Sequence, residues 1–306
     1  MQNTISQEQN SPKQLERLAA QRYMYSAAKR VLLGQLFLDL LSPIVLAIIV
    51  AFFPDFGIFG AFIAALIVIV DLYLENLQSA KRQDAAGIQE LFDCELLGLE
   101  CRDLIQRDLP GTIEIMRAAQ KYKQSHSTYD DLKNWYSTEV DQLPLYLARL
   151  VCQRINCYWD AQLRKKYLQA VGVTFFIIFA IVMVVAVIKG LTLGNFFLVV
   201  VAPLIPAIGW ISRELIKQNE AIQRKNKLKS YVEELWRDAI KKHVPVNEIE
   251  QRSRELQDQI YNNRASNPLI LDRFYRHLLP KNEAEMNRNA KDLVNEALKN
   301  LGANRP

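Results

Sequence analysis

The stretch Leu32–Phe53, "LLGQLFLDLLSPIVLAIIVAFF", decides how this chain is read. It is almost wholly apolar, yet Asp39 stands inside it. About 20 consecutive apolar residues suffice to cross a bilayer as a helix. An ionised carboxylate in lipid costs at least about 2.5–3.5 kcal/mol, so a bundle interior or a water cavity is its default environment. Either the segment is not a span, or the acid has a polar refuge.

The rest of the chain favours a span. Half of its 306 residues are hydrophobic and its formal net charge is +5. The apolar residues are bunched into four windows: Val31–Phe53, Gly57–Leu74, Leu168–Ile188 and Leu191–Ile211. The third contains "VGVTFFIIFAIVMVVAVI", Val171 to Ile188, without a charge. A buried helix of a soluble protein is seldom apolar all round over such a length. The first thirty residues are polar and lack both the early apolar core and the cleavage site of a signal peptide, so the first span is expected to be retained.

Cationic residues flank the windows on one side. Lys29 and Arg30 precede the first and Lys81 and Arg82 follow the second; Arg164, Lys165 and Lys166 precede the third, and Arg213 and Lys217 follow the fourth. The opposite connections, "PDFG" and "KGLTLGN", carry only Lys189. The positive-inside rule then puts both termini and the central segment in the cytoplasm. The expected fold is all-α: four transmembrane helices in two hairpins, plus a helical cytoplasmic domain built from the central segment and the C-terminal region. The expected divisions are a cytoplasmic N-terminal helix at 1–30, hairpins at 31–77 and 168–212, and cytoplasmic helical segments at 78–167 and 213–306.

Asp39 lies fifteen residues before Pro54, and Asp71 fourteen after Gly57. At about 1.5 Å per residue the two acids share one depth. Gln35, Asp39 and Ser42 fall on one helical face, and Gly57, Gly60, Ala64 and Asp71 on another. Gln35, Asp39, Ser42 and Asp71 are therefore candidates to line a water path, which a homo-oligomer would repeat as a ring favouring cations. The milder reading leaves Asp39 protonated and Asp71 at the interface beside Tyr73 and Glu75. In the fourth span, Pro203 and Pro206 predict a kink, with carbonyls freed at Val199 and Ala202.

A helix starting near Pro144 meets no breaker before Ile188, which predicts one rod of about 65 Å. On it Arg149, Gln153, Asn156, Asp160 and Arg164 form one stripe, bordered by Tyr146, Cys152 and Trp159. Such a stripe is usually a solvated face. Arginine also grips phosphate bidentately and aromatic rings stack bases, so the stripe equally suits a nucleotide. Arg149, Arg154, Asn156, Tyr158, Trp159 and Arg164 are the first candidate ligand residues; Tyr261, Arg264, Arg273 and Tyr275 are the second group. The C-terminal tail after Pro280 reads as a polar helix prone to fraying. The spacings of Cys94, Cys101, Cys152 and Cys157 match no zinc pattern. No phosphate-binding loop, zinc-protease motif or nucleophile elbow is present, so neither catalysis nor a cofactor or metal is expected.

Several stretches resemble the SMODS-associating four-transmembrane effectors, a bacterial family of pore-formers. They are "LERLAAQRYMYSAAK", "AAGIQELFDCELLGL", "LKNWY", "LPLYLARLVCQRINCYWDAQLRKKY" and "LQDQIYNNRASNPLILDRFYR", in order over nearly the whole chain. The resemblance implies a partner cGAS/DncV-like nucleotidyltransferase in a CBASS-type antiphage system. Its cyclic di- or oligonucleotide would activate the effector, which compromises the inner membrane in abortive infection. The implied partners are that messenger, the lipid bilayer and further copies of the chain, not a nucleic acid polymer. The rival readings are a non-conducting membrane anchor, which predicts that Asp39 tolerates Leu, and a constitutive channel or transporter, for which four spans are few.

Overall fold

The computed structural model describes residues 3–101, 109–188, 190, 192, 194, 202–241 and 244–303, with no strand among them. The helices are α1 (Ile5–Glu8), α2 (Pro12–Phe52), α3 (Gly57–Leu96), α4 (Thr112–Lys123), α5 (Leu145–Ile188), α6 (Ala202–Lys241), α7 (Val246–Ser266) and α8 (Asp272–Ala303). Short 3-10 turns lie at Pro54–Phe56, Asp130–Leu132 and Thr138–Gln142.

Four helices carry the architecture. α2, α3, α5 and α6 have 41, 40, 44 and 40 residues, so each is about 60 Å or longer. The single rod expected from Pro144 to Ile188 is α5. The expected division between spans and soluble helices is bridged in α2, α3 and α6 as well, since each runs unbroken from polar into apolar sequence. Pro12 opens α2 at a position where its missing N–H costs nothing. The helix continues through Pro43, and the Ser42 hydroxyl donates to the Leu38 carbonyl. Pro203 and Pro206 stand in the first turns of the described α6; Val199 lies outside the described residues.

α2 and α3 form a hairpin, bonded midway along its length and at its open end. Midway, Gln35 Nε2 donates to Asp71 Oδ1 at 3.0 Å. At the far end Lys13 and Arg17 grip Glu95 at 2.6 and 2.7 Å, and Arg17 also reaches the Leu91 carbonyl. α3 stops at Leu96 rather than running on toward Cys101 as its periodicity suggests. Gly98 has φ +61°, and Leu99 N–H returns to the Cys94 carbonyl, a glycine C-terminal motif.

Two ends of the molecule obey opposite rules. At one end the apolar residues are inside: Leu18, Phe92, Leu97, Leu147, Leu150 and Leu235 are buried in one core. At the other they are outside: Phe37 is 64 % exposed, Phe62 70 %, Phe176 70 % and Val187 75 %. Proteins in water seldom expose apolar patches beyond a few hundred Å². Among the described residues one helical stretch, Ile58–Leu96, is long and apolar enough to cross a membrane, with mean hydropathy 2.2 and none of its apolar window buried. Four such helices go beyond what the described residues establish.

The buried end draws on more of the chain than the central and C-terminal segments named above. Ile5, Leu15, Leu18 and Ala19, all N-terminal, belong to the core. Asn3 donates to the Val140 and Leu143 carbonyls, and Gln9 pairs with the backbone of Tyr136 in both directions. The C-terminal helix is also part of the core rather than a free tail. Ala290, Leu293, Val294 and Ala297 of α8 enter the core, and Trp236 Nε1 donates to Glu296. Those small and branched residues recur at helical spacing, a seam hidden by the polar residues around it.

A buried polar knot crosses this core. Arg264 of α7 meets fully buried Asp93 of α3 at 2.5 Å. The Tyr136 hydroxyl donates to the other Asp93 oxygen at 2.7 Å, and Asn156 of α5 donates to Tyr136 Oη at 2.7 Å. Arg254 bonds Glu90 and Asp258, and Gln257 bonds both Glu90 and Asp93. Burial works against the Arg264 charge, but Asp93 and Tyr136 hold its pKa above the ordinary arginine value. Removing one partner of such a pair leaves an uncompensated buried charge, which costs about 3–5 kcal/mol. Asp93→Ala is therefore expected to lower the thermal unfolding midpoint of the detergent-solubilised protein sharply, and Lys13→Ala, at an exposed pair, hardly at all.

Candidate functional site

The arginine–aromatic combination sought in the sequence is assembled in a cavity of about 500 Å³, within the range of small-molecule sites. α2 supplies Arg22, Ser26, Lys29 and Arg30, spaced so that they share one helical face. Asn156 and Arg164 come from α5, Lys225 from α6 and Arg264 from α7. The lining holds six lysine and arginine side chains and, among the described residues, no aspartate or glutamate. Counter-charges stand behind the wall: Asp93 behind Arg264 and Asp131 beside Arg22 at 3.5 Å. The inner surface thus presents one sign of charge in a partly water-excluded space, where attraction for an anion is strongest.

Aromatic rings complete the wall. Tyr122 and His126 stack with ring centroids 4.1 Å apart and planes 4° from parallel. Tyr122 donates to Asp131 at 2.6 Å, and burial together with that carboxylate pushes its pKa up, so it stays a phenol. Arg22 lies over the Trp135 ring and Arg30 over Tyr23, at 5.9 and 5.5 Å from the ring centroids. Flat π-faces next to guanidinium forks are what a base and its phosphate require.

The candidates named from sequence are divided by the fold. Asn156, Arg164 and Arg264 line this cavity. Arg149 does not: its Nε and Nη2 donate to the Leu97 and Gly98 carbonyls at 2.8 and 3.2 Å. It caps the open C-terminal end of α3, where a cation also suits the helix dipole. Arg154 faces Glu233 at 3.6 Å, Tyr158 lies beneath Lys229 Nζ at 4.4 Å, and Tyr261 is not among the lining residues. The side chains of Trp159, Asp160, Arg273 and Tyr275 lie outside the described residues. The stripe on α5 is not a wet face, because Arg149, Gln153 and Arg164 are all buried. Gln153 bonds the Ser253 carbonyl and Gln257.

Arg22, Lys29, Arg30, Lys225, Tyr122 and Trp135 escaped the sequence reading. In the sequence, Lys29 and Arg30 stand out only as charges flanking a span. The helical spacing of Arg22, Ser26 and Lys29 was a visible signal; the buried position of Lys225 was not.

A second cavity, of about 440 Å³, opens where α2, α3 and α6 leave the core. Gln35, Asp39 and Asp71 line it, as does Glu75, and opposite them stand Arg213, Glu214 and Lys217. Three of the four residues expected along a water path are thus brought to one polar space; Ser42 is not. Lys217 approaches Glu75 at 3.6 Å. Burial raises the pKa of Glu214 above that of an ordinary carboxylate. Among the described residues no group of three or more His, Cys, Asp or Glu side chains could hold a metal ion.

A family model described as the SMODS-associating 4TM effector domain matches residues 3–293. The chain is 24% identical over 168 residues to a Bacillus cereus (strain VD146) protein named "Probable CBASS effector molecule", covering 53% of this chain and 55% of that one. The chain thus spans about half the length of the curated relative it matches. No solved structure matches.

The capping geometry of Arg149 makes a direct prediction. Arg149→Ala leaves two helix-end carbonyls without their donors, a loss of about 1–3 kcal/mol. Chemical unfolding should register that loss, while the Arg154→Ala variant unfolds like the parent protein.

Proposed function

Because the chain belongs to the SMODS-associating four-transmembrane effector family, we propose that it is the membrane effector of a CBASS-type antiphage system, activated by a cyclic di- or oligonucleotide. The messenger comes from a cognate cGAS/DncV-like nucleotidyltransferase. The observation that carries this reading is the cavity lined, among the described residues, by six cations and no acid. Arginine and lysine meet the phosphates, and Tyr122 or Trp135 offers a face to a base. A partly open cavity of about 500 Å³ suits a small cyclic anion rather than a nucleic acid polymer.

The membrane half of the proposal rests on the apolar surfaces turned outward on α2, α3 and α5. In lipid that exposure is favourable, and four helices in two hairpins satisfy their own backbone. In this reading both termini and the cationic cavity lie in the bacterial cytoplasm, which the cationic flanks support. Asp39 and Asp71 then sit where the spans meet the helical body, and copies assembling around an axis bring these acids together as a cation-favouring ring. Ligand binding shifts the balance between closed and leaking arrangements by its difference in affinity for the two. No catalytic step is required.

Proteoliposomes carrying the purified protein provide the test, with cyclic di-AMP, cyclic di-GMP, cyclic GMP–AMP and cyclic tri-AMP as probes. At least one should bind by calorimetry and release an entrapped dye. Lys29→Glu or Arg30→Glu is expected to weaken binding about tenfold or more, the loss of one charge-assisted bond. Asp39→Leu is expected to keep affinity and lose leakage. If no probe in the series causes leakage, the cyclic-nucleotide reading loses to the membrane-anchor reading.

A further inference from the structure

The two cavities share a wall. Residues 267–271 join α7 to α8, and Pro268 and Leu269 of this strap line both the cationic and the acidic space. One buried amide ties it to the helices on each side. Gln218 of α6 is fully buried. Its Oε1 accepts from Arg164 Nη1 at 2.7 Å, and its Nε2 donates to Glu214 Oε1 at 2.8 Å and to the Leu269 carbonyl at 3.3 Å. Arg164 Nη1 also donates to the Pro268 carbonyl at 2.8 Å. Arg164 lines the cationic cavity and Glu214 the acidic one.

We propose that Gln218 is the positioning residue that couples the two cavities, holding the strap closed until an anion in the cationic cavity takes Arg164 away from it. This rests on the nucleotide reading above and deepens it. A phosphate gripping the guanidinium end-on takes one hydrogen from each Nη; both hydrogens of Nη1 are already given to Gln218 and Pro268, so Nη1 must release at least one of them. A freed Gln218 no longer orients Glu214, and the strap loses bonding on one side. Asn267 supports the same sequence of events independently. It is buried, lines the cationic cavity, and its Oδ1 accepts from Arg224 Nη2 of the acidic cavity at 3.1 Å. Its Nδ2 has no hydrogen-bond partner among the described residues. A phosphate oxygen there satisfies a donor that the unliganded strap leaves unpaired.

The signs follow from linkage. A change that favours the released state also tightens the ligand, because the ligand no longer has to break the latch. Gln218→Leu in proteoliposomes should therefore leak dye without nucleotide and bind the active probe about threefold or more tightly. A substitution that merely damages packing would weaken binding instead. Wild-type dose dependence in Gln218→Leu, or leakage accompanied by weaker binding, would overturn the latch. Hydrogen exchange of the wild-type protein in nanodiscs gives a second readout should the variant fail to fold. The backbone amides of Asn267, Leu269, Ile270 and Leu271 should exchange faster with the bound probe, and unchanged protection overturns the proposal. If the wild type binds none of the four cyclic nucleotides, the functional reading fails on its own, and nucleotide-independent leakage of Gln218→Leu still decides the latch.

Discussion

The salt bridge between Asp93 and Arg264 is the constraint on which the rest of the structure depends. Two charges removed from water are tolerable only when they meet each other and when their remaining lone pairs and protons are satisfied. Tyr136, Gln257 and, through Tyr136, Asn156 meet that condition. In doing so they bring α3, α5, α7 and the loop before α5 to one point. Apolar packing alone would allow these helices to slide by a turn with little penalty. A hydrogen-bonded ion pair in a region of low polarity does not, so the knot fixes their register.

That register decides what the cationic cavity contains. Arg264 reaches the cavity because Asp93 holds it there, and Asn156 because it is held by Tyr136. The wall is therefore charged on its inner side and compensated on its outer side. Such an arrangement keeps a cluster of cations folded in the absence of ligand without cancelling its field in the cavity. The N-terminal segment closes the loop between α4 and α5 through Asn3, Gln9 and Asn10, which explains how Trp135 is held close to Arg22 on α2.

The long helices impose the second constraint. Each of α2, α3, α5 and α6 carries a polar stretch that packs inward and an apolar stretch, and on α2, α3 and α5 much of that stretch faces outward. A rigid helix transmits displacement along its axis, because bending it breaks backbone hydrogen bonds. The acidic cavity lies at the change from one kind of surface to the other, and the strap at 267–271 stands between it and the cationic cavity.

The sequence by itself determined what depends on neighbours along the chain. It showed the helical class, the hairpin turn at Pro54, the unbroken rod of α5 and the shared depth of Asp39 and Asp71, because period, length and composition act within a few turns of helix. It also pointed to arginines beside aromatics, the combination found around the cationic cavity. Only the tertiary structure decided which arginines face the cavity. Arg149 and Arg164 share one stripe of α5, yet one caps α3 and the other reaches the cavity, since each is defined by what packs opposite it. The same holds for Arg22 and Lys225, about two hundred residues apart in sequence and brought to one wall by helix packing that no local pattern encodes.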